Sequence, residues 1–269
     1  MSRLRSFTTN RVVGVLRQAF RLAFKRRRLT RLPYFPMLPE NNVRQGFVEP
    51  DTFDRIVEAL VTGAEPEELK AENVEPGKKK PQPRPAPDLA DAADFAYATG
   101  WRKGQLTRLR WDYVDRTNRL LMVPGTITKN RKPHTIPLEG HLWELVERRW
   151  QRREVRRKNR PVYLSPLVFH RGDGKALGDI RKTWARACAA AGVPGLLFHD
   201  LRRSGVRNMI RAGVDRDVAK SISGHKTDAM FARYNVTDER DQREAFARRD
   251  EYVSERKSAG KVVPIKAGE

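Results

Sequence analysis

Cysteine is almost absent. The one thiol, Cys188, cannot form an internal disulfide, and no C-x-x-C pair or His/Cys cluster stands beside it to bind zinc. A reducing compartment, the cytoplasm, is therefore expected, and within TWARACAAAG the thiol reads as helix packing. Long apolar runs are missing too. None approaches the roughly eighteen residues of a spanning helix, so the chain should be soluble with no membrane partner. Acidic residues are scarce: 33 Asp and Glu stand against 55 Lys and Arg, a formal net charge of +22, and the pI is about 10.7. Such an excess of cations is the footprint of a protein that displaces counterions from a polyanion, nucleic acid ahead of an acidic membrane surface. No carboxylate cluster points to a metal. A hydrophobic content of 39% in 269 residues is lean but enough for one good-sized domain and an appendage.

The shortage of acid is most extreme at the start. Residues 1–32 hold ten Lys or Arg and no Asp or Glu, with Val12, Val15, Leu16, Ala19, Phe20, Ala23 and Phe24 at helical spacing. This fits a basic helix that meets DNA or stays solvated, and it also resembles an organelle transit peptide. A proline-stiffened linker over 33–50 and a helix capped near Asp51 follow. Residues 62–88 are rich in proline and charge and poor in large apolar side chains, which predicts a loop or disordered insert. Helical periodicity returns over Leu89–Leu109 with an interruption at Gly100. The turn DRTN leads into a strand over Arg119–Val123 and a second over His134–Leu138, a hairpin with TKNRK at its tip. Further helices are expected over Glu139–Lys158, Gly178–Ala191 and His199–Ala212. Gly213 suits the C′ position of the last, and a short helix capped by Asp215 should end before Gly224. No internal repeat is visible. The fold class is α+β, predominantly α, with a small sheet.

Six residues stand in a fixed order along the second half: Arg102, Lys129, His199, Arg202, His225 and Tyr234. On a helix starting near His199, Arg202 shares its face, so the two can converge on one anion. An isolated H-x-x-R pair says little in a chain this rich in arginine. Two planar guanidiniums, Arg102 and Arg202, would however neutralise the extra charge of a pentacovalent phosphorane. A tyrosine phenol, with a pKa of about 10, attacks at neutral pH only when a base takes its proton or cations favour the phenolate. His199 or His225 could be that base or a hydrogen-bond donor. The departing 5′ oxygen needs an acid, and Lys129 on a flexible hairpin tip could reach it. Arg203, Arg207 and Arg211 form a separate stripe, for which a solvated face and phosphate contact are both open.

With these residues placed in ATGWRKGQLTRLRW, PGTITKNRKPHTIPL, FHDLRRSGVRN and SGHKTDAMFARY, the chain resembles the tyrosine recombinases, or phage-type integrases, from about Asn41 to Asp250. The resemblance implies a mostly helical catalytic domain over 51–255 with a three-stranded antiparallel sheet, of the DNA breaking-rejoining type, and a flexible tail over 256–269. It implies site-specific DNA recombination or integration without cofactor or ATP, through a 3′-phosphotyrosine. Tyr234 would be the nucleophile, Arg102 and Arg202 would bind the scissile phosphate, and Lys129 would be the general acid. His199 would handle the nucleophile's proton and His225 would donate to a non-bridging oxygen. Double-stranded DNA is the implied partner, bound by a homo-tetramer on the nucleoid with room for an accessory DNA-bending protein. The segment DERDQREAFARRDEYV could be lent to a neighbouring subunit or pack on its own domain. A phage or mobile-element setting in a bacterium is favoured.

The chain departs from the family pattern in three places. Gln105 stands where an acidic residue three positions after the first arginine is usual, the 62–88 insert replaces a short connection, and one basic helix stands in place of a core-binding domain. Three readings follow: an active recombinase, a catalytically impaired DNA-binding remnant, and a helix-turn-helix regulator built on AGVDRDVAKSISGHKT. The last leaves Arg102, Lys129 and Tyr234 without a role.

Overall fold

The acid-free N-terminal stretch forms one long helix, α1 (Arg3–Lys25). The computed structural model describes residues 3–39, 46–64, 84–128, 131–157, 161–225, 227–232 and 239–259, and it divides into two compact units, Met1–Gln45 and Gly46–Glu269. In the first unit Arg27 takes a left-handed φ of 56° after the helix ends. The Asn10 amide then clamps Leu38, its Nδ2 donating to the carbonyl and its Oδ1 accepting from the N–H, each at 2.8 Å. Phe20 and Phe35 meet at 5.1 Å. This covers one side of α1 only: Val12, Val15, Leu16 and Leu22 remain exposed within the unit.

The second unit is helical around a small sheet. Helix α2 (Pro50–Thr62) starts at a proline whose missing N–H costs nothing in the first turn, and it buries Phe53, Ile56 and Leu60. Residues 65–83, most of the predicted insert, lie outside the described residues. Helix α3 (Pro87–Thr99) buries almost its whole length and stops at Gly100, which adopts φ 70°. After the short α4 (Lys103–Leu106) come β1 (Val114–Asp115), β2 (Leu120–Val123) and β3 (His134–Pro137). They pair antiparallel in the order β1-β2-β3, with Leu121 opposite Ile136 and Val123 opposite His134. Leu121, Val123 and Ile136 face the core while Met122 faces out, the two-residue alternation of a half-buried sheet.

The next helix corrects the sequence reading. It was expected to run to Lys158, yet α5 covers only Gly140–Gln151. Arg153 folds back, donating to the Trp150 carbonyl at 2.8 Å and lying 3.7 Å over its ring. Beyond Gln151 one apolar residue, Val155, is all that a helix could have buried before Pro161. Extended instead, it reaches 1% exposure as β4 (Glu154–Val155) pairs with β5 (Tyr163–Leu164).

The remaining helices are α6 (Arg181–Ala190), α7 (Leu201–Arg211), α8 (Arg216–Ser223), α9 (Asp228–Ala232) and α10 (Glu239–Ala259). Asp215 caps α8 by accepting from the N–H groups of Asp217 and Val218, and Gly213 and Gly224 take the left-handed conformation, as the sequence implied. Residues 256–259, placed in a tail by the sequence reading, continue α10. Helix α2 packs on α3 and α6, and α3 on α5 and α7. Among these helices Arg149 is fully buried. Its donors meet Asp88 at 2.5 Å, Asp91 at 3.3 Å and the carbonyls of Val168 and His170, which is what makes a buried cation tolerable. Cys188 is buried in α6, and burial, with the Asp200 charge adding to it, pushes the thiol up to about 12, so it packs rather than reacts.

The arginine stripe of α7 is not a solvated face. Arg203 is buried and donates to the Gly46 carbonyl at 3.1 Å. Arg207, also buried, lies 3.5 Å over the Phe47 ring. Arg211 bonds Glu49 at 3.1 Å and Asp241 at 2.7 Å. Three cations thus fasten the segment entering α2 and the start of α10 to one helix. No described helix is long and apolar enough to cross a membrane.

Candidate active site

Four of the six sequence-predicted residues fall among those described, and the fold gathers them around the ends of α3, α7 and α8. Lys129 and Tyr234 lie outside the described residues.

The frame is built first. Gly205 in α7 faces the end of α3, where an added Cβ would stand 2.5 Å from the Tyr97 carbonyl and 2.9 Å from the Gly100 nitrogen. A glycine is what lets the two helices approach this closely. Trp101, 1% exposed, donates from its indole to the Ile222 carbonyl at 2.8 Å. Arg202, also 1% exposed, donates from Nη1 to the carbonyls of Gly100 at 2.5 Å and Ser223 at 2.6 Å. The C-terminal carbonyls of α3 and α8 are therefore both satisfied from this seam.

Arg102 follows directly, at the entry to α4. Gln105 supports it through the backbone: its Oε1 accepts from the Arg102 N–H at 3.4 Å, and its own N–H donates to the Arg102 carbonyl at 2.9 Å. The neutral amide thus holds the main chain that carries Arg102. His199 is not in the first turn of a helix, as the sequence reading had it. It sits in a 3-10 turn over Phe198–Asp200 that precedes α7, set by the Asp200 carboxylate accepting from the Leu197 N–H at 2.9 Å. His225 follows the left-handed Gly224, buried, with its ring edge-on to Phe231 at 5.5 Å. Its Nδ1 lies 2.7 Å from the Ser223 hydroxyl.

These four side chains share one electrostatic field. Burial, then the charges of Arg202, Arg102 and His199, lower the His225 pKa to about 3. His199 is lowered as well, by burial first and then by Arg202 and Arg102. Both imidazoles are neutral at pH 7 within a nest of fixed positive charge. An anion is the ligand such a site favours.

The sequence reading missed three contributors. In sequence His134 is only the start of a strand, yet its ring lies 5.0 Å from Trp101 and beside Gly224, and its buried Nε2 has no hydrogen-bond partner among the described residues. Its pKa is lowered by burial, against a hydrogen bond the ring donates to the Ser221 backbone and together with the Arg202 charge. Trp101 and Ser223 act through the frame just described. Their signal was adjacency: Trp101 precedes Arg102, and Ser223 stands two before His225. Between β2 and β3, Thr128 donates from its hydroxyl to the Lys132 carbonyl at 2.8 Å.

Comparison with known proteins places the chain in a family and agrees with its fold. The sequence model described as the phage integrase family matches residues 67–240. The integrase of Salmonella phage P22 is 23% identical over 153 residues, covering 54% of this chain and 38% of its own. A XerC-like tyrosine recombinase of Caldanaerobacter subterraneus is 27% identical over 166 residues, covering 51% and 42%. The XerC tyrosine recombinase of a Mycobacterium species is 31% identical over 151 residues, covering 52% and 46%. Each alignment takes in less than half of the curated relative. Among solved structures, a lambda integrase dimer bound to a core site aligns with a TM-score of 0.61 at 18% identity, over 87% of this chain and 75% of that one. The Tn1549 transposon integrase in complex with circular intermediate DNA aligns at 0.59 and 15%, over 90% and 78%. At these identities the likeness is one of fold.

Proposed function

Because the chain belongs to the phage integrase family, we propose that it cuts and rejoins double-stranded DNA at a specific site, through a transient covalent link between Tyr234 and the 3′ phosphate of the broken strand. One observation carries this reading: Arg102, His199, Arg202 and His225 lie within one another's electrostatic reach, on a frame that fixes Arg202 from two sides.

In the proposed step the Tyr234 oxygen attacks phosphorus, forming the O–P bond as the bond from phosphorus to the 5′ oxygen breaks. The phenolic proton passes to His199, which is neutral at pH 7 and so able to accept it. Lys129 gives a proton to the departing 5′ oxygen. Arg102 and Arg202 hold the non-bridging oxygens as charge builds on them, and His225 adds a hydrogen bond there. Attack by a 5′ hydroxyl on the phosphotyrosine reverses each transfer and reseals a strand. One bond is exchanged for another of similar energy, so no nucleotide hydrolysis enters the scheme.

The same proposal takes 51–255 as the catalytic domain, preceded by the linker over 33–50 and by the basic helix within 1–32 as an element of the DNA grip. Assembly as a homo-tetramer on nucleoid DNA, an accessory DNA-bending protein and loan of the segment after Tyr234 to a neighbour belong to it as well. A lambda integrase tetramer has been solved on a Holliday junction, on a fold that aligns with a TM-score of 0.59.

The test uses duplexes nicked so that the short cleaved strand diffuses away and traps the intermediate. A covalent protein–DNA adduct that resists SDS is expected, and it should vanish in Tyr234→Phe. An adduct that survives that substitution overturns the choice of nucleophile. Tight but sequence-blind binding with no adduct overturns the enzyme reading in favour of a DNA-binding remnant.

A further inference from the structure

The hydroxyl of Ser223 has one hydrogen to give and lies between groups that compete for it. The carbonyls of Ala219 and Lys220 stand at 2.7 and 3.4 Å, and Nδ1 of His225 at 2.7 Å. A carbonyl can only accept, so the hydroxyl hydrogen lies toward Ala219. Two lone pairs facing each other at the Oγ–Nδ1 distance would repel. The hydrogen between them must therefore come from the ring.

We propose that Ser223 is a positioning residue that locks neutral His225 as its Nδ1–H tautomer, so that Nε2 carries a lone pair and donates to a phosphate oxygen only after the ring takes up a second proton. This rests on the reading of His225 as a phosphate donor given above. The added proton comes from bulk water when DNA binds, and the bond formed is Nε2–H.

The surroundings favour such a lock. Ser223 is fully buried, and its own carbonyl is held by Arg202 Nη1 at 2.6 Å, so the hydroxyl cannot swing away with its backbone. The edge-on contact with Phe231 restrains the imidazole. Among the described residues, the titratable and charged groups around the ring are Arg202 and Arg102 with His199, and His134 beside Gly224. Without DNA, these cations and burial keep the ring neutral. A phosphate placed among them reverses the local field and raises the ring's proton affinity. Substrate binding would thus charge His225, and the same anion would then receive its hydrogen bond.

The experiment begins with long-range proton–nitrogen spectra of the DNA-free protein at pH 7, with His225 assigned by its loss in His225→Asn. A protonated Nδ1 and a pyridine-type Nε2 are expected. Ser223→Ala should move the ring toward the Nε2–H form, and since the Ala219 carbonyl keeps its helical partner, that variant should fold. A wild-type ring already protonated on Nε2, or one unmoved in Ser223→Ala, overturns the proposal. The second readout is the rate of adduct formation against pH. Wild type should lose about tenfold per pH unit above the ring's pKa in the complex, whereas Ser223→Ala, with a neutral Nε2–H donor, should lose less than about threefold. Ser223→Thr, which keeps the hydroxyl, should restore the wild-type slope. Parallel slopes in all three overturn the proposal. Absence of any adduct counts against the proposed function, while the spectra still decide the tautomer.

Discussion

Arg202 reaches the carbonyl of Gly100, 102 residues earlier in the chain, at 2.5 Å, and the same nitrogen donates to Ser223 at 2.6 Å. One guanidinium nitrogen ties the end of α3 to the end of α8. A lysine ammonium carries charge but lacks the rigid planar fork, so Arg202→Lys should lose about 1–3 kcal/mol of stability in urea unfolding. It should also lose adduct formation by roughly 100-fold or more, because one donor to the developing charge is misplaced. Wild-type stability in that variant would mean that the two carbonyls are not anchors.

Gly205→Ala tests the close approach of α7 to α3. The new Cβ would stand 2.5 Å from the Tyr97 carbonyl, which is backbone and cannot rotate away. Overpacking of this kind costs about 1–3 kcal/mol, read as a lower urea midpoint at unchanged m-value. Because the shift would spread to Gly100 and Trp101, the nicked-duplex adduct should decline as well. Full stability with normal cleavage would contradict the geometry.

Stability should depend on pH through the imidazoles. His134, His199 and His225 are all held below the ordinary histidine value of 6.5 by burial first, with Arg202 adding to it. As pH falls through 6.5 the unfolded chain takes up these protons, while the native chain resists until lower pH, about 3 for His225. The unfolded state then binds more protons, so stability is lost progressively as pH falls across that window. Tm at pH 5 should lie below Tm at pH 7.5, a range above most carboxylate titration, and His225→Asn should flatten the decline. A decline of equal size in both proteins would count against a ring held neutral.

Arg211 bridges Glu49 and Asp241, so it couples the entry to α2 with the start of α10. Arg211→Ala should lower stability by about 1–2 kcal/mol, since two part-buried charge-assisted bonds are lost. Hydrogen exchange should speed up over 239–259 more than over α3. Uniform exchange changes would argue that the bridge does not fasten α10.

Much of the frame was legible because its signals are local. Asp215 caps α8 and Gly213 and Gly224 turn left-handed where those residue types predict it, and the alternation in Leu121–Val123 and Ile136 sets the sheet. The order Arg102, His199, Arg202, His225 pointed to residues that the fold does bring together. What escaped reading depends on distant partners. Nothing near Val155 says that it will pair opposite Tyr163 rather than continue a helix. The arginines of α7 look solvated until Gly46, Phe47, Glu49 and Asp241 are seen to cover them. His134 reads as a strand residue until Trp101, far from it in sequence, is placed against its ring.

The two acceptors that hold Arg202 Nη1 are main-chain oxygens, and Trp101 is held by a third, that of Ile222. No side-chain replacement at Gly100, Ile222 or Ser223 can delete such an acceptor. It can be lost only by moving the backbone. These contacts are therefore robust to substitution at the acceptor and fragile to insertion or deletion around it. The seam should accept changes of residue type at Ile222, whose part in it is its carbonyl alone, while rejecting a single-residue change in the length of the turns that close α3 and α8.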